Sequence, residues 1–301
     1  MRKTKHSVRF LALLSLLVMG SATQASPIIL TNAIQTLTLD SGVGLSHGSN
    51  VAYNPLFDRY YTSKIGGNDP FYVFDGSGAL VQTVSNINNL PSRAINYNAN
   101  TGNLEAVTYN AKLNSSSTQG LFSLGLDASG NYDGSSVELL TQVPGIQNTQ
   151  PIVAYDSVTN RLFSNDGAGG SINIIDRATG NLQSTIMLEV TGLGTVDIAG
   201  YAIGYDEANG VLVSYDRSGK RALVHDVLGN LLGSSLLPPG SNDPGSYSVG
   251  YANNTFFLHS QGVWQGFQVL ETAVPAPPAI MLFCLGLFGL VVGRRKISRQ
   301  T

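Results

Sequence analysis

The chain has 301 residues, of which 43% are hydrophobic and 12% charged, whereas an average soluble domain is roughly 25% charged. Its 17 Lys and Arg residues against 19 acidic ones argue against a nucleic-acid-binding protein and against a charge-rich disordered chain. All the acidic residues lie between Asp40 and Glu271, so an acidic middle is flanked by two basic, apolar ends.

The first 25 residues have the three parts of a secretory signal peptide. Basic residues at 2–9 precede an apolar run at 10–19, and small residues follow up to Ala25. This composition predicts export, with cleavage between Ala25 and Ser26. The alternative is a retained membrane anchor, but a spanning helix needs about 20 apolar residues, about twice the length of this run.

The middle of the chain, residues 26–272, is self-similar. The unit at 151–188 contains four short β-rich runs, at 152–155, 161–164, 171–175 and 181–188, separated by turn residues. Related units recur with tyrosines 44 to 58 residues apart, at Tyr53, Tyr97, Tyr155, Tyr205 and Tyr251. A second marker recurs near the third run of four units, at Asp75, Asp127, Asp176 and Asp226. Four short strands per unit are typical of a β-propeller blade.

The unit at 151–188 resembles the YVTN-type propeller repeat. The resemblance lies in Tyr155-Asp156, in Asn-Arg-Leu-Phe at 160–163 and in the run at 175–180. Together with the five repeated units, it predicts an all-β fold, a β-propeller of about five four-stranded blades. The fifth unit stops after its third strand, and the N-terminal run at 33–39 is expected to supply the fourth and close the ring. An irregular β-sandwich is the alternative fold.

The repeated residues have structural interpretations. The tyrosines are predicted to pack between blades, and the Asp and Asn residues beside them to start hairpins. The run at 127–134 has oxygen-bearing side chains suited to calcium, but it lacks the Gly and Glu of an EF-hand loop. A solvated hairpin turn is therefore predicted there, and no metal site is expected. The body has no sustained helical periodicity, so long helices are expected only at the two ends.

Candidate ligand-binding residues follow from propeller topology. The loop entering each innermost strand and the loop between the second and third strands lie on the same face, where binding residues tend to lie. These loops contain His47, Arg93, Gln150, Asp197, Tyr247 and Trp264. Trp264 is suited either to stacking on a sugar ring or to capping the last blade. The body has no recognisable catalytic motif and no cysteine, since Cys284 lies in the tail, so no catalytic residue and no cofactor are predicted.

The tail at 273–301 combines a proline motif, an apolar run and a basic end. Val274, Pro275, Ala276 and Pro277 precede an uncharged run at 279–293, which is followed by Arg294, Arg295 and Lys296. This order predicts a transmembrane helix whose basic end stays in the cytoplasm. The tail resembles the PEP-CTERM sorting signal of Gram-negative bacteria, with Ala276 where the family name has Glu. The resemblance implies recognition by an exosortase-type processing enzyme.

These features predict a non-enzymatic, exported protein with three parts: a signal peptide at 1–25, a propeller body at 26–272 and a sorting signal at 273–301. The precursor is expected in the inner membrane through its C-terminal helix, and the product in the cell envelope, on the cell surface or outside the cell. The expected role is binding or structural, in an extracellular polysaccharide matrix, without nucleic acid. The alternatives are a propeller enzyme of lactonase or hydrolase type and a plain type I membrane-anchored ectodomain.

Overall fold

The structure is a computed structural model that describes residues 27–43, 47–64, 70–85, 87–113, 118–167, 169–245 and 247–271. Within these ranges the chain forms twenty β-strands and no helix. The predicted signal helix, the cleavage site, the sorting motif and the tail helix all lie outside the described residues. Among the residues that are described, no helix is long and apolar enough to span a membrane.

The strands form five groups of four, and each group is called a blade. Blade 1 contains β2 (Ala52–Asn54), β3 (Arg59–Ser63), β4 (Phe71–Asp75) and β5 (Leu80–Val84). Blade 2 contains β6 (Ser92–Asn98), β7 (Asn103–Thr108), β8 (Leu121–Leu126) and β9 (Tyr132–Leu140). Blade 3 contains β10 (Val153–Asp156), β11 (Arg161–Asn165), β12 (Ser171–Asp176) and β13 (Leu182–Met187).

The last two blades are joined through the N-terminal strand. Blade 4 contains β14 (Gly204–Asp206), β15 (Val211–Asp216), β16 (Arg221–Asp226) and β17 (Leu231–Leu236). Blade 5 contains β18 (Val249–Ala252), β19 (Thr255–Ser260), β20 (Val263–Leu270) and β1 (Ile29–Asp40). β1 pairs antiparallel with β20, and one parallel pair, Asn32 with Leu236, connects it to β17. The run at 33–39 therefore lies in the fourth strand of the last blade, as its sequence predicts.

The first strand of each blade lies at the centre of the fold. These five inner strands contact one another in a closed cycle, β2 with β6, β6 with β10, β10 with β14, β14 with β18, and β18 with β2. The prediction of an all-β, propeller-like fold built from four-stranded units is confirmed. In the unit at 151–188, the predicted strand ends differ from those of β10 to β13 by at most one residue.

Burial explains why the middle strands have continuous apolar runs. Every residue of β15 is buried, whereas five of the six residues of β13 are exposed. Inner and middle strands are covered on both faces by neighbouring blades, so both sets of alternating side chains need to be apolar or hydrogen-bonded. The outer strands have one open face and tolerate polar side chains there.

The recurring aspartates begin the outer hairpins, as the sequence predicts. Oδ1 of Asp75, Asp127, Asp176 and Asp226 each accepts a backbone N–H two or three residues further along the chain. Each hairpin then needs a residue with positive φ, which glycine adopts without strain. These glycines are Gly78, Gly130, Gly180 and Gly229. The run at 127–134 is thus a hairpin turn, in which Asp127 also accepts the N–H of Asn131.

Candidate functional site

Three of the predicted ligand-binding residues lie near one another on the N-terminal face, the end of the ring where the inner strands begin. The rings of His47 and Tyr247 are 5.7 Å apart, and Tyr247 stacks on Tyr201 at 4.7 Å with the planes 5° from parallel. Burial, followed by the neighbouring Tyr201, raises the pKa of Tyr247, whereas the positive charge of Arg93 opposes that rise. Arg93 also lies over the ring of Tyr109, 4.9 Å from its centre.

The other predicted ligand-binding residues make different contacts. Asp197 forms an ion pair of 2.7 Å with Arg217 beside a recess of about 310 Å³. The backbone N–H of Gln150 donates to the side chain of Asn148 at 2.7 Å. Trp264 is only 2% exposed and packs in the core between blades 5 and 1. Of its two predicted roles, this position fits the capping of the last blade.

Two histidines of the body are buried. His225 is fully buried, and its Nε2–H donates to the carbonyl oxygen of Glu189 at 2.9 Å. His259 is 2% exposed, with its ring 4.9 Å from that of Trp264. Burial lowers the pKa of both imidazoles; for His259 the pKa falls to about 4, with a further contribution from the charge of His47. Both are therefore neutral side chains near pH 7.

The stability of the protein is expected to fall as the pH is lowered from about 6.5 towards 4. In the unfolded chain His259 takes up a proton near its ordinary pKa of 6.5, but in the folded protein it stays neutral until about pH 4. A pKa lowered by this amount corresponds to a loss of roughly 3 kcal/mol in the free energy of unfolding between pH 6.5 and pH 4. Urea unfolding measured at several pH values should show this loss, and His259→Gln should flatten the curve. An equally steep curve for the variant would contradict this role of His259.

A larger cavity lies on the opposite, C-terminal face, where the inner strands end. Its volume is about 380 Å³, and all five inner strands contribute to its wall. We call it the tyrosine cavity, because its lining includes the repeated Tyr53, Tyr97, Tyr155, Tyr205 and Tyr251. The same tyrosines pack between blades as predicted; for example, the rings of Tyr205 in blade 4 and Phe163 in blade 3 are 5.0 Å apart.

Asn50 forms the inner end of the tyrosine cavity, close to the axis of the ring. Its Oδ1 accepts the backbone N–H of Ile95 at 2.6 Å, and its Nδ2 donates to the carbonyl oxygen of Val153 at 3.4 Å. One buried amide thus connects blade 1 to the inner strands of blades 2 and 3. Because these bonds join residues 45 and 103 positions apart, they fix the relative positions of three strands around the axis.

Hydrogen bonds hold four of the five tyrosines in place. The hydroxyls of Tyr53 and Tyr155 donate to the side chains of Asp58 at 2.9 Å and Asn160 at 3.0 Å, each five residues further along the chain. Tyr251 donates to Asp206 of the preceding blade at 2.9 Å, and Tyr205 bonds to Asp156 in the same way. Burial, with the adjacent carboxylates, raises the pKa of Tyr53 to about 12 and also raises the pKa values of Tyr205 and Tyr251.

The two carboxylates that line the cavity are hydrogen-bond acceptors within the fold. Asp206 accepts from Tyr251 and from the amide of Asn209 at 2.7 Å. Glu207 accepts the backbone N–H groups of Ser157 at 2.9 Å and of Val158 at 3.1 Å, together with the Ser157 hydroxyl. These bonds join the inner hairpins of blades 3, 4 and 5. The arrangement provides fixed aromatic rings, peptide groups and negative charge, which suit the binding of a small polar molecule.

Searches for known relatives identify the fold only. No family model and no curated protein sequence matches the chain. The glutaminyl cyclase of Myxococcus xanthus is 12% identical, with a TM-score of 0.52, covering 81% of this chain and 100% of its own. A gluconolactonase from Xanthomonas campestris is 13% identical, with a TM-score of 0.47, covering 83% and 99%. A luciferin-regenerating enzyme is 12% identical, with a TM-score of 0.45, covering 81% and 96%. The first likeness supports a propeller-like fold.

The sequence does not predict the tyrosine cavity, although all five tyrosines are visible in the repeats. Their regular recurrence in the inner strands is the available signal, and it predicts only packing between blades. Within the described residues, no group of three or more His, Cys, Asp or Glu side chains is placed to hold a metal ion. The structure therefore has two groups of candidate residues, one on each face of the ring, and all five inner strands contribute to the wall of the tyrosine cavity.

Proposed function

We propose that the protein is an exported binding protein of the Gram-negative cell surface, with a five-bladed propeller body and a PEP-CTERM-type tail. The observation that carries the binding role is the tyrosine cavity, a recess of about 380 Å³ at the axis of the ring, lined by one tyrosine from each blade. Rigid aromatic walls with a few fixed polar groups are typical of small-molecule binding sites. The role in this proposal is binding without catalysis.

The hydrogen bonds around the cavity favour binding over catalysis. A general acid or base needs a titrating group within reach of the substrate. In this cavity Asp206 and Glu207 accept hydrogen bonds from Tyr251, Ser157 and Val158, and these bonds join neighbouring blades. Their oxygens are thus used in holding the fold together. The buried, neutral imidazoles of His225 and His259 are likewise poorly placed for proton transfer.

The proposed location follows from the two ends of the sequence. A basic and apolar leader ending at Ala25 fits export, and an apolar run followed by Arg294, Arg295 and Lys296 fits retention of the precursor in the inner membrane. The motif at 274–277 fits an exosortase-type enzyme as the processing partner. Extracellular polysaccharide is the proposed ligand source, because the tail resembles a sorting signal that is expected to place the product in the cell envelope, on the surface or outside the cell.

Replacing Pro275 and Pro277 with Ala is expected to leave a full-length protein in the inner membrane. The processing enzyme would no longer recognise the motif, whereas the apolar run and its basic end would still hold the precursor. Mass spectrometry of surface and membrane fractions measures this, and the natural surface form should lack the peptide that contains Cys284. The matched control is Pro238→Ala with Pro239→Ala in the body. Intact tail peptides on surface-exposed natural protein would contradict sorting and favour the plain anchor.

A further inference from the structure

The tyrosine cavity is a separate site from the predicted ligand-binding loops. Those loops lie on the N-terminal face, whereas the cavity opens where the inner strands end, beside the inner hairpins of blades 1, 4 and 5. Its volume of about 380 Å³ lies within the range of about 300–1,000 Å³ typical of small-molecule sites.

The cavity wall combines apolar faces with many hydrogen-bonding groups. The five repeated tyrosines line it together with Asn96, Asn253 and Asn254, and Nδ2 of Asn253 donates to the hydroxyl of Tyr60 at 2.8 Å. Each inner strand pairs with the second strand of its own blade on one edge only. Because the other edge faces the axis, it presents backbone N–H and C=O groups there, of which the N–H of Ile95 and the C=O of Val153 bond to Asn50. A ligand that fits this wall has a flat apolar face and a rim of donors and acceptors.

The charge of the wall restricts the ligand further. Asp206 and Glu207 line the cavity, and Asp58 lies beside it, bonded to Tyr53, whereas Asp156, bonded to Tyr205, is paired with Arg161 at 3.0 Å. Among the described residues that line the cavity, none is Lys, Arg or His. Like charges brought together at a binding site cost several kcal/mol. An acidic sugar, a phosphate or a sulfate ester is therefore disfavoured.

We propose that the tyrosine cavity binds a neutral sugar ring, as a single residue or as the end of a neutral glycan. A pyranose ring has an apolar face that stacks on tyrosine, and its hydroxyls both donate and accept hydrogen bonds, which matches the peptide edges and amides of the wall. Hydrogen bonds to Asp58, Asn160 and Asp206 already fix three of the tyrosines. These side chains therefore lose little further conformational freedom when a ligand binds. This inference rests on the proposed binding role and names its ligand class.

The test uses the purified natural surface form and saturation-transfer NMR. The probes are cellobiose and maltose as neutral sugars, digalacturonic acid as an acidic one and choline as an organic cation. We expect both neutral disaccharides to bind and digalacturonic acid to bind at least about tenfold more weakly. Binding of choline without either neutral sugar would overturn the proposal, and so would the absence of signal from both neutral sugars at millimolar concentration.

Two variants test whether the neutral sugar binds in the tyrosine cavity. Asn96→Trp places a large ring on the cavity wall and is expected to abolish neutral-sugar binding. Leu228→Trp is the matched control, since Leu228 is 71% exposed in an outer hairpin, and it should bind as the natural protein does. If circular dichroism shows that Asn96→Trp does not fold, Asn96→Ala is used instead. This variant should weaken neutral-sugar binding about threefold to tenfold, because the side-chain amide is lost.

If a folded Asn96 variant binds the neutral disaccharides as the natural protein does, the proposal that they bind in the tyrosine cavity is wrong. The proposed function is tested separately, by retention of the surface form in the extracellular matrix. Retention that persists in Asn96→Trp would leave the binding role standing and contradict only its placement in the cavity. Loss of matrix retention together with loss of disaccharide binding in this variant would support both.

Discussion

Deleting residues 33–39 is expected to destabilise the whole body, because this segment forms most of the fourth strand of blade 5. β1 pairs with β20 from Ile29 to Asp40, and without it the last blade has an open edge. The deletion also removes Leu39, which is fully buried against Trp264 and Phe257. Urea unfolding followed by the fluorescence of Trp264, the single tryptophan, should show the loss of a cooperative transition at the natural midpoint.

Single substitutions in β1 refine this expectation. Leu39→Ala should cost about 3 kcal/mol of unfolding free energy, through lost burial and the cavity it leaves. Ile34→Ala is the matched control in the same strand; because Ile34 is 55% exposed, the change should stay within about 0.5 kcal/mol. A deletion variant that unfolds at the same urea concentration as the natural protein would contradict the pairing of β1 with the last blade.

Replacing Arg177 with Ala is expected to cost about 3 kcal/mol, because it leaves a buried carboxylate without its cation. Arg177 of blade 3 donates from Nε to Oε2 of Glu105 in blade 2 at 3.0 Å, and from Nη2 to Oε1. Glu105 is 3% exposed and also accepts from the amide of Asn98 at 2.7 Å. The pair therefore connects two blades away from water.

Two comparisons test the importance of burial for this pair. Asp197→Ala breaks the ion pair between Asp197, which is 49% exposed, and Arg217, which is 31% exposed. Because this pair is open to water, the variant should lose less than about 1 kcal/mol of unfolding free energy. The double variant Glu105→Leu with Arg177→Met should recover much of the stability lost in Arg177→Ala, since no charge is left buried. A loss no larger for Arg177→Ala than for Asp197→Ala in urea unfolding would contradict the argument.

Local features of the fold could be predicted from the sequence because they depend on neighbouring residues. An aspartate such as Asp176 accepts N–H groups within its own hairpin, and Gly180 supplies the positive φ that the turn requires. Both residues are visible in one repeat, so the turns and strand ends of blade 3 were predicted to within one residue. The pairing of β1 with β20 was also predictable, since the fifth unit lacked one strand.

Features that depend on several blades could not be predicted in the same way. The cavity forms only where the ends of five inner strands converge, and no single repeat contains that information. Asn50 bonds to Ile95 and Val153 in two other blades, yet in the sequence it looks like an ordinary turn residue. From the sequence Trp264 is suited to sugar stacking or to capping the last blade; its burial depends on contacts with Leu39 of the N-terminal strand.

The central claim is a binding role outside the cell. Its most direct test is whether isolated extracellular polysaccharide retains the purified surface form in a saturable way. The measurement is a binding isotherm of labelled protein on washed matrix from the same cells, with heat-unfolded protein as the control. The account predicts saturable retention that excess soluble neutral glycan competes away. Retention no greater than that of the unfolded control, or the appearance of cleaved glycan during incubation, would contradict it.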